Sequence, residues 1–121
     1  MSRTNIFQRH EFEGKANVHL EYGVSDIVLA TAEHQEVVWA KFEPTGNYPL
    51  HSHPYEQISV MLQGRMRLTV GEEVREVGPG DLWHAPANVK HGGEILGDEP
   101  VVFIDVYSPP SGGVGKDVTY Y

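Results

Sequence analysis

The chain contains no cysteine. That excludes a disulfide framework and a thiolate nucleophile. It is poor in positive charge, with 9 Lys and Arg against 17 Asp and Glu and a formal charge of −8. A chain so acidic lacks the basic footprint that nucleic acid or an anionic membrane surface requires. Long apolar runs are missing too: no stretch approaches membrane-spanning length, and Met1-Ser2-Arg3-Thr4-Asn5 leads into no apolar signal segment. The expected location is therefore the cytoplasm. No segment carries a sustained helical stripe, and there is no repeat, low-complexity block or linker. With 121 residues, the expectation is one domain over 1–121.

What the chain does have is turns. Its 13 glycines and 8 prolines fall between short apolar runs. The runs are Ile27 to Ala30, Val37 to Phe42, Gln57 to Leu62, Met66 to Val70, Leu82 to Ala85 and Val101 to Tyr107. Between them lie turn signals such as Pro44-Thr45-Gly46, Gln63-Gly64, Gly71-Glu72-Glu73 and Gly78-Pro79-Gly80-Asp81. Met66, Leu68 and Val70 alternate with Arg65, Arg67 and Thr69, so one strand face is covered and the other polar. This spacing predicts an all-β barrel or sandwich. The tail from about Ser108 reads as irregular, folded against the barrel or a partner.

Of the 7 histidines, three have a context. His51-Ser52-His53 puts two imidazoles on one face of an extended segment, where both reach a common ion. Gln57 opens the next apolar run, and His91 follows Pro86-Ala87-Asn88-Val89-Lys90. Asp105 interrupts the apolar run Val101 to Tyr107, with Tyr107 on the same face. A carboxylate there is either a general acid/base or is held by backbone groups or a cation at a barrel rim. Tyr48 and Tyr55 flank the histidine pair and either line a pocket mouth or pack the loop. Trp39 and Lys41, alternating on one strand, are further candidates for binding substrate. His84 is read as a core residue or a pocket neighbour, and His10, His19 and His34 as surface residues.

These residues resemble the cupin superfamily. Gly46, His51, His53, Gln57 and Gly64 match its first motif over 46–64, with one residue fewer after Gly46 and Gln in the usual Glu position. Gly80, Pro86 and His91 match the second over 80–95, with Asn88 for the inner Gly and Ile95 for the usual Asn. Asn tolerates the positive φ that such a turn glycine supplies. The resemblance implies a single-domain jelly-roll barrel (a double-stranded β-helix), a homodimer, and one divalent metal ion on His51, His53, Gln57 and His91. Glu56, next to Gln57 on the opposite strand face, is the competing fourth ligand. Neutral imidazoles and an amide leave the full charge on the ion, which favours Lewis-acid work and admits zinc, nickel, manganese, iron or cobalt.

Among small cupins, the segments His51 to Ile58 and Asp105 to Pro110 look like the pectin-degradation type, which opens the ring of unsaturated uronates. By that resemblance Asp105 and the aromatic residue two positions on, Tyr107, are the expected catalytic residues. The expected function is therefore ring opening or tautomerisation of an anionic sugar acid. The alternatives are a metal-dependent dioxygenase and a non-catalytic small-molecule binder. One departure stands out: the type carries an arginine after Ser-Pro-Pro, where this chain has Ser111.

Overall fold

The alternation of Met66, Leu68 and Val70 is one instance of a pattern that runs through two facing sheets. The computed structural model describes residues 5–121. Its strands are β1 (Asn17–His19), β2 (Val24–Thr31), β3 (Glu36–Phe42), β4 (Tyr48–Ser52), β5 (Glu56–Gln63), β6 (Arg65–Val70), β7 (Glu73–Val77), β8 (Leu82–Ala85), β9 (His91–Leu96), β10 (Val101–Ser108) and β11 (Thr119–Tyr120). One sheet has the order β1-β2-β3-β10-β5-β8 and the other β11-β4-β9-β6-β7, with antiparallel pairing throughout. Two short 3-10 helices, Arg9–Phe12 and Leu20–Tyr22, complete the regular structure, and no helix of the described residues is long and apolar enough to cross a membrane. This is the all-β jelly roll that the sequence leads one to expect.

The inward faces meet in a core of Ala40, Phe42, Tyr48, Met61, Met66, Leu68, Val77, Trp83, Val101 and Phe103. Phe103 is its centre, stacked on Phe42 at 5.4 Å and meeting Trp83 edge-on at 5.1 Å. Arg65 and Arg67 face outward, as expected, and pair with Glu76 and Glu94 at 2.9 Å each.

The outer face of the six-stranded sheet carries an apolar row as well. The register sets Ile27 beside Trp39, Trp39 beside Ile104, Ile104 beside Val60 and Val60 beside Leu82. Trp39 and Lys41 belong to this outer face. In β3 it is Val38, Ala40 and Phe42 that turn inward to line the cavity, and Lys41 pairs with Glu43 at 3.3 Å. The expectation that Trp39 and Lys41 bind substrate is thus corrected. Strand parity puts them behind the pocket wall.

The tail is more ordered than its composition suggests. Ser111 is buried, with its hydroxyl donated to Glu36, and β11 pairs with β4 so that Tyr120 lies opposite His51. The Tyr121 and Ser52 hydroxyls are 2.7 Å apart, and the Lys90 ammonium lies over the Tyr121 ring at 4.3 Å. Ser111 therefore does not stand in for a pocket arginine, because its hydroxyl is used in clamping the tail to β3.

Candidate metal centre and pocket

Backbone pairing brings the site together. His51 on β4 and His91 on β9 are direct cross-strand partners. His53 follows the end of β4, and Gln57 opens the inward face of β5. Close approach of β4 and β9 depends on Gly92: a Cβ there would sit 2.7 Å from the Pro49 carbonyl oxygen and 2.9 Å from the Leu50 nitrogen. Neither backbone atom can step aside without moving the strand. Gly92→Ala is expected to cost about 1–3 kcal/mol as overpacking and to shift His51 from His91. Thermal unfolding and metal titration together would register both effects. Asn88 adopts φ 66° as its place in the motif suggests, and its N–H donates to the His53 carbonyl at 2.7 Å.

The tautomers of the histidines follow from their partners. Nδ1 of His51, His53 and His91 lies 2.7, 2.7 and 3.0 Å from the carbonyl oxygens of Pro49, Tyr55 and Val89. A carbonyl only accepts, so each Nδ1 carries the proton and each Nε2 of the neutral ring turns a lone pair inward. Burial lowers the pKa of His51, and lowers that of His91 to about 4. The three rings offer ligand atoms that all lie within 4.8 Å of one another.

Gln57 adds a fourth acceptor. Its Nε2 donates to the Ser59 hydroxyl at 2.8 Å and to Asp105 Oδ1 at 3.0 Å. Because Asp105 can only accept there, the amide orientation is fixed, and Oε1 faces His53 Nε2 at 3.0 Å and His91 Nε2 at 3.2 Å. Buried acceptors have thus converged with no donor among them. Such a cluster is satisfied by a cation or, failing that, by a proton taken up. A divalent ion fits these donors, with the imidazole and amide set suiting the transition metals expected from the sequence. The same geometry explains an amide at position 57, since a glutamate would set its second oxygen against the Asp105 carboxylate. Glu56 is exposed and pairs with His84 at 2.8 Å on the outside of the sheet, so neither reaches the cavity.

Asp105 sits directly behind the amide, fully inside. Oδ1 accepts from Ser59 and Gln57, and Oδ2 accepts from the Tyr107 hydroxyl at 3.1 Å. Burial pushes its pKa up to about 6, against the opposing pull of these hydrogen bonds. Tyr107 and Tyr48 are held neutral, their pKa values raised chiefly by burial and next by the Asp105 charge. The Tyr48 hydroxyl, buried on the cavity wall near Gln57, meets no partner among the described residues at good hydrogen-bond geometry. Tyr55 stacks on His53 at 4.0 Å and donates to the Lys116 carbonyl at 3.1 Å, which ties the tail to the site.

A cavity of about 470 Å³, within the usual range for a small-molecule site, opens onto this region, although Gln57 and His91 are not part of its lining. Its waist is Val38, Ala40, Phe42 and Phe103, and the tail closes one side with Val114, Val118 and Tyr120. His51, His53, Tyr48, Asp105 and Tyr107 all line it, whereas Trp39, Lys41 and His84 do not. His19, read as a surface residue, also lines it, together with Asp26. Among the described residues, no lysine or arginine is part of the lining.

Known proteins share this arrangement of strands. A family model described as a cupin domain matches residues 38–107. A curated relative, H2HPP isomerase of Bacillus subtilis, is 32% identical over 72 residues, 59% of this chain, and the chain spans only 30% of that relative's length. The solved structure of KdgF from Halomonas sp. is 27% identical, with a TM-score of 0.78 and coverage of 89% of this chain and 96% of that one. The polyketide cyclase RemF from Streptomyces resistomycificus is 25% identical, with a TM-score of 0.69 over 89% of this chain and 79% of its own. With a family model matched over more than half its length, the chain belongs to the cupin family.

Proposed function

We propose that the protein is a metal-dependent enzyme of isomerase type that opens the ring of an unsaturated uronate, or tautomerises a similar sugar acid, with Asp105 as general acid/base. The observation that carries this reading is the placement of Asp105. It is a buried carboxylate on the cavity wall, oriented by Gln57, Ser59 and Tyr107, and separated from the acceptor cluster by a single amide. His51, His53, Gln57 and His91 are the residues that would hold a divalent ion. A divalent cation bound there supplies Lewis-acid polarisation of a substrate oxygen.

The protein's own residues supply the rest. Asp105, fixed on three sides, exchanges a proton with the carbon or oxygen next to the polarised group. Tyr107 keeps its hydroxyl on Oδ2 and holds the carboxylate in orientation. The Tyr48 hydroxyl donates to a substrate oxygen, and the apolar waist excludes water from the reacting bonds. The reaction is an internal proton relocation with no co-reactant. The likeness to KdgF supports the uronate substrate, and the apolar outer row of Ile27, Trp39, Ile104, Val60 and Leu82 supports pairing of two copies.

The test is an ultraviolet assay of 4,5-unsaturated galacturonate with metal-loaded protein. Loss of the conjugated absorbance is expected with metal and not after chelation. Unchanged substrate beside a stoichiometric metal would sink the uronate assignment and leave the metal site standing.

A further inference from the structure

The end of the cavity away from the histidines holds a second polar group. Asp26 is a buried carboxylate on the inward face of β2, beside Ala40. It accepts from His19 Nε2 at 3.1 Å and from Asn17 Nδ2 at 3.4 Å. Since a carboxylate only accepts, His19 Nε2 carries the proton, and Nδ1 is the ring nitrogen left for a ligand. That nitrogen has no partner among the described residues, and the half-exposed ring faces the cavity, as do Tyr22 and Asn47. β2 and β10 are both neighbours of β3, where Asp26 pairs with Ala40 and Asp105 with Val38. Two strand spacings and one two-residue step put the two aspartate Cα atoms roughly 12 Å apart. Between them lies the apolar waist. The cavity therefore has two polar ends, one built around the acceptor cluster and one around the His19–Asp26 pair.

We infer that the His19–Asp26 pair receives the hydroxyl groups of the substrate, while its carboxylate or carbonyl lies at the metal end. This deepens the reading of the protein as a sugar-acid enzyme and rests on it. The charges decide the direction. No lysine or arginine of the described residues lines the cavity, so a carboxylate at the His19 end would meet the Asp26 carboxylate, whereas a divalent ion at the other end would attract it. A hydroxyl suits the His19 end because it both donates and accepts, and so pairs with His19 Nδ1 in either protonation state of the ring.

The experiment uses metal-loaded full-length protein and two unreactive acids, D-galacturonate, which carries ring hydroxyls, and glycolate, which is too short to span the waist. Calorimetric titration is expected to give galacturonate the tighter binding. His19→Gln and Asp26→Asn should each weaken galacturonate about tenfold, the worth of one hydrogen bond to a polar pair, with glycolate unchanged to within about twofold. His19→Gln lies on the exposed strand β1 and keeps the test open if Asp26→Asn folds poorly. Equal galacturonate affinity in wild type and variants overturns the assignment. So does equal weakening of both acids, or a wild-type protein that binds neither. If the binding pattern holds but unsaturated galacturonate is not opened, the reaction assigned above fails and the hydroxyl-binding end stands.

Discussion

Asp105→Asn is expected to reduce turnover by about a hundred- to ten-thousandfold, the usual worth of a positioned general acid/base, without loss of bound metal. The substitution is nearly isosteric, and the donors that hold the carboxylate come from Ser59, Gln57 and Tyr107, all of which have an acceptor left in the asparagine oxygen or can turn their hydroxyls. Gln57 should keep its amide aimed at the histidines, because its Nε2 also has the Ser59 hydroxyl as an acceptor. Metal content by elemental analysis then separates the two roles: a variant with full metal and little turnover assigns proton transfer to Asp105. Wild-type turnover in a metal-replete Asp105→Asn protein would remove Asp105 from the chemistry and leave it as the buttress of Gln57.

Part of this centre is legible in the sequence from spacing, and the rest from the resemblance to the cupin motifs. His51 and His53 lie one strand step apart, and the motif context brings in His91 and Gln57. Strand alternation separates Gln57 from Glu56. The same alternation fails on β3, where Val37 and Trp39 are apolar on one face and Val38 and Ala40 on the other. A strand covered on both sides gives no hydrophobic contrast from which to choose a face, and so Trp39 and Lys41 were assigned to the pocket. Strands β4 and β9 go unread because Pro49 and the Gly92–Gly93 pair lower their strand signal, and β7 because four of its five residues are exposed. His19 and Asp26 are the largest omission. They meet only because a 3-10 turn and a hairpin fold β1 onto β2, and a three-residue exposed strand has no periodicity to announce it.

Removing the metal is expected to lower the melting temperature by about 10–20 °C. An ion present at about a thousand times its dissociation constant stabilises the folded state by about 4 kcal/mol, and each kcal/mol shifts a domain of this size by roughly 3–5 °C. The structure gives a reason for an effect at the upper end. Without an ion, the Gln57 carbonyl faces two Nε2 lone pairs across 3.0 and 3.2 Å, all of them buried and none with a donor. Strands from both sheets meet at this cluster: His51 and His91 come from one, Gln57 from the other. Its relaxation therefore loosens the sandwich at one end rather than a single loop. Differential scanning calorimetry of loaded and chelated protein would measure the shift, with His91→Ala as control. That variant should melt near the chelated wild type and respond weakly to chelator. A wild-type protein that carries one equivalent of metal yet melts at the same temperature after chelation would place the ion elsewhere than among His51, His53, Gln57 and His91.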